Sequence, residues 1–380
     1  FSDLTSTYSG SGWKNGTLNL DNSGALTVNT NGTFSAPRGK CQVAGDITGA
    51  GKIIHNNGTF ESDRGSSTVN FDFSGTGVDA DGNAQPMFYD VLCTNATTKI
   101  IRDTSIAREL HIDSGATFKF NCNSRAVTLT MGTSSSAGEI HQDAGSFHFE
   151  NNTSNAAKIV AADTSGLNPW TNVSGYNIDW DSGGSGSDVE LANGNYSGTT
   201  ATGAGGVTVK LTGDMEFDAF TVSSGDTLDL AGQRAVFSGT FNAQGTDGLK
   251  DTVGGGMMFT DNINYQSASA AHSSVNTIHY IGTGHSGDHN IQEYPFKTIF
   301  MNSGGAMSFN DYGPLQTAAT DNFIIGAGSV TGFGLGGTAA NGSPTFGNIN
   351  VATGGTLEGG GDHLTVSGDF TMTGGLIGKS

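Results

Sequence analysis

Apolar and polar residues alternate along this chain in short segments, and each segment follows a glycine-containing turn. The segment SGATFKFN, residues 114–121, predicts a tight turn followed by a short strand. Closely similar segments recur as NGTFSA (31–36), NGTFES (57–62), AGSFHF (144–149), SGDTLDL (224–230) and GGTLEG (354–359). The chain therefore repeats one unit of turn and strand.

The repeat extends on both sides of the motif when its Phe or Leu is taken as position zero. Apolar residues recur six positions earlier and nine and thirteen positions later, with lapses at His141 and Ala156. On each strand these residues are expected to face inward and the polar residues between them outward. The position-zero residues are Phe34, Phe60, Phe118, Phe147, Leu228 and Leu357.

Copies spaced by 26 residues (Phe34 to Phe60) and by 29 residues (Phe118 to Phe147) are typical of a solenoid, in which one repeat is one coil. Stacked coils bury an apolar row that a single coil leaves exposed. An array of β-sandwiches would also alternate, but it gives no reason for constant offsets. The sequence therefore predicts an all-β fold, a β-solenoid (parallel β-helix) built from coils of about 20–29 residues with variable loop insertions.

From this repeat we predict the domain boundaries and four residues of the core. Residues 1–164 and 216–380 are expected to form solenoid coils, and residues 165–215 an irregular, aromatic-rich insertion. Four rings are expected to be buried, each stacked on the equivalent residue of a neighbouring coil: Phe60, Phe118, Phe241 and Phe370.

The amino-acid composition favours short strands and excludes some classes of binding partner. The chain has 60 Gly, 6 Pro and 22 Phe among 380 residues, and only 13% of its residues are charged. The aromatic content argues against disorder. A net charge of −19 disfavours nucleic acid and anionic membranes as partners, because both require basic residues. We expect the three cysteines to be small buried apolar residues. The start, without Met or a secretion signal, is the start expected of a processed chain or of part of a longer one.

A second repeat carries two variable loops, VDADGNA (78–84) and HSGDHNI (285–291), on a shared frame. Asp79, Asp81 and Asn83, with Asp90, partly match a calcium loop, but Ala84 stands where that loop requires Gly. His285, Asp288 and His289 offer imidazole and carboxylate groups of the kind that bind zinc, although histidines in a polar loop are more often solvated. We therefore expect no metal and no cofactor, and interpret both loops as recognition loops on one face of the solenoid.

Evidence for an enzyme is weak. The carboxylate pairs Asp79/Asp81 and Asp179/Asp181 would lie on one face of a strand, as glycoside hydrolysis needs, but Asp is also the expected residue in such turns. The exposed aromatics Trp170, Tyr176 and Trp180 are candidates for stacking on sugar rings; alternatively they fill a widened coil or seal a trimer seam. We predict no catalytic residue.

The segments FTVSSGDTLDLAGQRAVFSGTF (220–241) and INVATGGTLEGGGDHLTVSGDFTMTGG (349–375) resemble the tandem coils of secreted bacterial β-solenoids. Autotransporter passengers and filamentous-haemagglutinin-type adhesins are built from such coils, as are β-helical fibres and appendages of bacteriophage virions. The resemblance covers about two-thirds of the chain and is specific for architecture, because unrelated surface fibres share these coils. It carries over no catalytic residue.

The resemblance implies a structural or adhesive fibre or appendage protein of a virion. Its expected location is the virion surface or the extracellular space. Its expected partners are other virion or surface subunits, including two further copies in a homotrimer, and a host-surface glycan, without membrane insertion. Acidity and low Lys content favour the virion over a bacterial cell-surface adhesin passenger. A polysaccharide-cleaving β-helix enzyme is the second alternative.

Overall fold

The structure is a computed structural model. It describes residues 16–20, 24–63, 65, 67–122, 125–143, 145–150, 157–162, 171–174, 177–179, 188–191, 194–201, 206, 208–243, 248–265, 275, 277–281, 298–310, 322–334, 345–359, 365–374 and 376–379.

The chain folds as an all-β solenoid with coils of about 23 residues, as the sequence predicts. It divides into two compact units, Phe1–Val207 and Thr208–Ser380. Among the described residues, there is no helix long and apolar enough to cross a membrane.

The strands of the first unit are short and rich in Thr, Val, Ile and Phe, which suit a pleated, half-buried surface. They are β1 (Thr17–Leu20), β2 (Leu26–Val28), β3 (Thr33–Ser35), β4 (Lys40–Val43), β5 (Ile47–Gly49), β6 (Lys52–Ile54), β7 (Thr59–Asp63), β8 (Thr68–Phe73), β9 (Thr76–Val78), β10 (Ala84–Gln85), β11 (Phe88–Thr94), β12 (Thr97–Ile100), β13 (Thr104–Ile112), β14 (Thr117–Asn121), β15 (Val127–Met131), β16 (Glu139–Gln142), β17 (Ser146–Glu150), β18 (Ala157–Ala161), β19 (Thr171–Ser174), β20 (Asn177–Asp179), β21 (Asp188–Leu191) and β22 (Gly194–Ala201).

Three strands make one coil of this unit, and each of these strands pairs in parallel with its counterpart in the next coil; the short strand β10 is an exception and pairs antiparallel with β9. Strands β1, β4, β7, β11, β13, β16, β19 and β22 form one ladder. Strands β2, β5, β8, β12, β14, β17 and β20 form the second. The third contains β3, β6 and β9, and further along the chain β15, β18 and β21, which follow the first half of β13.

Two positions of the repeated turn, three and two residues before the motif Phe or Leu, favour small residues for different physical reasons. Three positions before the motif Phe or Leu, the backbone is left-handed: φ is 59° at Asn57, 80° at Gly115, 90° at Gly225 and 89° at Gly354. Gly and Asn adopt this conformation at low cost. At the next position, a Cβ on Gly58 would lie 2.1 Å from the carbonyl oxygen of Pro37 in the preceding coil. The repeat therefore marks a tight corner pressed against the coil before it.

Apolar side chains of successive coils stack along the core. Phe60 lies in register between Cys41 and Val91, and Phe118 lies beside Phe147. All five side chains are buried. Each fully buried large apolar side chain contributes about 1.5–3 kcal/mol, so the stack supplies the main stabilisation of the coils.

Two features of the predicted register are wrong. Phe34 lies on the β3–β6 ladder, Phe60 on the β4–β7–β11 ladder and Phe118 on the β12–β14–β17 ladder, so the three are not equivalent. Phe60, Phe118 and Phe241 are buried as predicted, although the neighbours of Phe60 in register are Cys41 and Val91 and not the predicted equivalents. Phe370 is 43% exposed. Phe370 pairs with Ile349 on one side, and no described strand covers its other side.

The lapses at His141 and Ala156 come from a change in turn length. Phe118 pairs with Phe147, but on the adjoining ladder Ile112 pairs with Gln142, so the turn before Phe147 is one residue shorter. Ile140 and Gln142 face inward, and His141 faces outward beside His111. The same kind of one-residue shift makes Ala157 the inward partner of Val127.

The second unit follows the same plan with longer strands. They are β23 (Thr208–Leu211), β24 (Met215–Val222), β25 (Thr227–Asp229), β26 (Arg234–Ala243), β27 (Leu249–Lys250), β28 (Met257–Tyr265), β29 (Thr277–Tyr280), β30 (Thr298–Asn310), β31 (Asn322–Gly334), β32 (Thr345–Phe346), β33 (Asn348–Val351), β34 (Gly355–Gly359), β35 (Thr365–Val366), β36 (Phe370–Met372) and β37 (Leu376–Lys379).

A β-bulge preserves the aromatic core of this unit. Phe217 and Phe220 are three positions apart, so a regular strand would place them on opposite faces. The ladder shifts register between them, and both are buried against β26. Phe217 stacks on Phe237 with ring centroids 5.3 Å apart, and Phe220 contacts Phe241 at 6.3 Å.

Candidate functional site

Asp79, Asp81 and Asn83 lie on an exposed hairpin turn between β9 and β10, which pair in antiparallel fashion. Oδ1 of Asp79 accepts hydrogen bonds from the backbone N–H groups of Asp81 (2.9 Å) and Asn83 (2.8 Å). Its Oδ2 accepts one from the Asn83 side chain (2.9 Å). These hydrogen bonds, first of all the one from the Asn83 side chain, lower the pKa of Asp79. The carboxylate of Asp79 therefore shapes the turn that presents Asp81.

Asp90, the twelfth position of the calcium-loop interpretation, is engaged elsewhere. Its side chain is buried on β11 and accepts a hydrogen bond from Nε of Arg108 at 2.7 Å. This bond to Asp90 raises the pKa of Arg108. The guanidinium group of Arg108 also lies 5.2 Å from the ring centre of Tyr89. Asp90 is therefore part of an ion pair between neighbouring coils.

Several sequence-predicted residues lie outside the described residues: His285, Asp288, His289, Trp170, Tyr176, Trp180 and Asp181. Asp179 ends β20, where the structure describes the backbone. The equivalence of the two variable loops, and glycan stacking by the three aromatics, stay predictions.

The three cysteines in the described residues are buried, as predicted, and none of them forms a disulfide. Burial raises the pKa of Cys41, of Cys93 and of Cys122 to about 12. Thiols of this kind stay protonated at neutral pH and are poor nucleophiles.

The outer face of β13 and β16 carries a cluster of histidine and carboxylate side chains that we did not predict. Nε2 of His111 lies 3.0 Å from Oδ2 of Asp143, and Nε2 of His141 lies 2.9 Å from Oδ1 of the same carboxylate. Nδ1 of His111 lies 3.2 Å from Oε1 of Glu109. We call Glu109, His111, His141 and Asp143 the histidine cluster.

The solenoid register builds this cluster. Residues 109–113 read ELHID and residues 139–143 read EIHQD, and β13 and β16 pair so that Glu109 lies beside Glu139 and His111 beside His141. The buried residues on either side of each histidine, such as Leu110 and Ile140, fix the outward direction of the imidazoles. The two histidine rings lie 4.9 Å apart between centroids.

The electrostatics of the histidine cluster favour an ionised carboxylate. Hydrogen bonds from His111 and then His141 lower the pKa of Asp143. The side chains of His111 and His141 are 27% and 36% exposed, and that of Asp143 is 54% exposed. A solute can therefore reach two imidazole nitrogens and a carboxylate at one point of the surface.

A repeated E-x-H-x-D motif was the sequence signal for this cluster. The fixed offsets used for the repeat placed His141 opposite Ile112, as an apolar position that had lapsed. Aligning the two motifs directly, 30 residues apart, would have placed His111 beside His141.

Asp229 and Asp251 are buried carboxylates that have a structural role in the second unit. Asp251 Oδ1 accepts hydrogen bonds from the N–H groups of Gly232 (2.7 Å) and Gly254 (3.0 Å), and its Oδ2 accepts one from Gly256 (2.7 Å). Asp229 Oδ2 accepts one from the Thr252 hydroxyl at 2.6 Å. Both carboxylates satisfy polar groups of the turns between coils.

Comparisons with family models, with curated proteins and with solved structures found no match to this chain.

Proposed function

We propose that this chain is a structural or adhesive β-solenoid of a virion fibre or appendage, which contacts the host surface or neighbouring subunits without catalysing a reaction. The observation that carries the proposal is that the stacked core and the exposed turn are stabilised by different interactions. Within each unit, inward positions of successive coils stack as an apolar core. The turn at residues 79–83 is exposed and is stabilised by its own hydrogen bonds.

Rows of polar residues between coils support a structural role. Hydroxyl groups of Thr27 and Thr48 lie 2.9 Å apart in neighbouring coils, and the Gln42 amide donates to Asp63 at 2.8 Å. Such rows add specificity of register to the backbone ladder. A rigid stack of this kind holds exposed loops at fixed positions on its faces.

The net charge of −19 and the low number of Lys and Arg residues, 16, favour a location on a virion over one on a bacterial cell surface. Both addresses use the same solenoid, so location separates them. Antibody labelling of purified virions in electron micrographs supports the first; labelling of uninfected bacterial cells supports the second.

Binding by the loop can be tested with fluorescently labelled protein on candidate host cells and on an array of immobilised glycans. We expect saturable binding that Asp81→Lys reduces, because Asp81 is exposed on the turn at residues 79–83. The control is Ser135→Lys, which places the same side chain on another exposed turn of the first unit. If both variants bind as well as the unchanged chain does, the turn at residues 79–83 is not the binding site. If the unchanged chain binds to no cell and no glycan, the protein is not an adhesin.

A further inference from the structure

We propose that His111, His141 and Asp143 form a binding site for a divalent transition-metal ion, of which Zn²⁺ is the best fit, on the outer face of two neighbouring coils. One potential ligand atom from each of the three residues lies within 4.8 Å of the others. The proposal is independent of the adhesive function and of the two variable loops.

The distances in the histidine cluster are close to those that a metal requires. In a tetrahedral zinc site with metal–ligand distances of about 2.0–2.2 Å, two ligand atoms lie about 3.3–3.6 Å apart. Each Nε2 atom now lies 2.9–3.0 Å from an oxygen of Asp143. The two nitrogen–oxygen separations must therefore grow by only a few tenths of an ångström, which rotation of the exposed Asp143 side chain allows. The ligand nitrogens of the two histidines lie within 4.8 Å of each other and must adopt a similar separation.

Glu109 supplies the outer partner that metal-binding histidines usually have. Its Oε1 lies 3.2 Å from Nδ1 of His111, on the opposite side of the ring from Nε2. When a metal displaces the proton that Nε2 now shares with Asp143, a hydrogen bond from Nδ1–H to Glu109 holds the tautomer in which the Nε2 lone pair faces the metal. This carboxylate–histidine arrangement is a second observation that points to a metal, besides the convergence of the three ligands.

The donor set determines the class of ion. Two imidazole nitrogens suit Zn²⁺, Cu²⁺, Ni²⁺ and Co²⁺, whereas Ca²⁺ and Mg²⁺ prefer oxygen ligands. Three protein ligands leave one tetrahedral position for water or for a group from outside the chain. Because His111 and His141 belong to different coils, a bound ion would join β13 to β16 and stabilise their pairing.

The test uses the chain without an affinity tag, treated with a chelator and then titrated with Zn²⁺ alone by calorimetry. We expect His141→Ala to remove one equivalent of bound Zn²⁺, with affinity at that position weakened by at least about 100-fold, the upper end of the loss from an outer partner alone. The matched control is His148→Ala, an outward-facing histidine on β17 that does not belong to the histidine cluster. It should bind as the unchanged chain does.

Further measurements keep the proposal testable if His141→Ala folds poorly. Asp143→Asn should also lose one equivalent of bound Zn²⁺, because it removes the carboxylate ligand. This variant should fold normally, because the side chain of Asp143 is exposed and does not contribute to the core. Glu109→Gln should weaken binding by about 10–100-fold. Co²⁺ should give the visible absorption of a tetrahedral site in the unchanged chain and not in Asp143→Asn. Equal Zn²⁺ stoichiometry and affinity in the unchanged chain and in the folded cluster variants would overturn the proposal, as would the absence of binding by the unchanged chain.

Discussion

The ring of Phe118 stacks on the ring of Phe147 in the next coil, with centroids 5.5 Å apart and an interplanar angle of 17°. Both rings are fully buried. The pair shows how backbone register becomes side-chain order: β14 and β17 pair in parallel, so residues at equal positions lie face to face. The same rule places Phe217 on Phe237 in the second unit.

Phe118→Ala should lower the free energy of unfolding by about 3–5 kcal/mol, because it removes a large buried ring and leaves a cavity beside Phe147. Urea denaturation followed by circular dichroism measures the change. Thr130→Ala, which truncates an outward-facing side chain on β15, is the control and should cost much less. Equal losses in the two variants would contradict the assigned core.

Asp251→Asn should destabilise the second unit by about 1–3 kcal/mol, since it leaves a buried N–H group without its acceptor. Asp251 accepts three backbone hydrogen bonds with its two oxygens, and an amide offers only one oxygen. The control is Asp218→Asn, an exposed carboxylate that accepts from the Ser238 hydroxyl. Thermal melting should show a clear loss for the first variant and little change for the second.

His279 should make stability depend on pH. Its ring stacks between Phe259, at 4.3 Å, and Phe300, at 4.4 Å, and burial lowers the pKa of His279 below its ordinary value of 6.5. The unfolded chain therefore binds the proton more readily than the folded chain. The contribution of neutral His279 is fully present above pH 6.5 and is lost as the pH falls toward the lowered pKa.

The variant His279→Phe isolates this effect, because it keeps an aromatic ring between Phe259 and Phe300 and removes the titrating group. Melting temperature should fall less between pH 7 and pH 5 for the variant than for the unchanged chain. A pH dependence that is the same in both chains would show that His279 does not titrate in this window.

Asp79→Ala should loosen the turn at residues 79–83 without weakening the solenoid. The amide hydrogens of Asp81 and Asn83 now bond to Asp79 Oδ1, so their exchange with solvent should become faster in the variant. Melting temperature should stay nearly unchanged, because residues 80–85 are exposed. A large fall in melting temperature would make the turn part of the scaffold.

The sequence was sufficient to predict the solenoid, because inward alternation and Gly corners are local consequences of how coils stack. It was insufficient for register, because a change of one residue in a turn moves a strand against its neighbour. The shorter turn before Phe147 thus shifted His141 by one position in the predicted alignment. The periodicity also predicts burial at every repeat, so it could not show that Phe370 is partly exposed.

The histidine cluster was missed for the same reason. Its members come from two coils, and their contact depends on the pairing of β13 with β16. By contrast, Asp79 and Asn83 interact within one turn, and the tendency of Asp to form turns anticipated their role. Local hydrogen bonds could be read from the sequence, and contacts between coils required the register.

The central claim, that this solenoid binds surfaces without cleaving them, is tested most directly by incubating the protein with polysaccharides from the host surface. Binding and release of reducing ends are measured on the same samples over time. We predict saturable retention of the protein and no release of reducing ends above that of a heat-denatured control. Release that grows with time and protein concentration, and that Asp179→Asn abolishes, would contradict the account and favour a polysaccharide-cleaving enzyme.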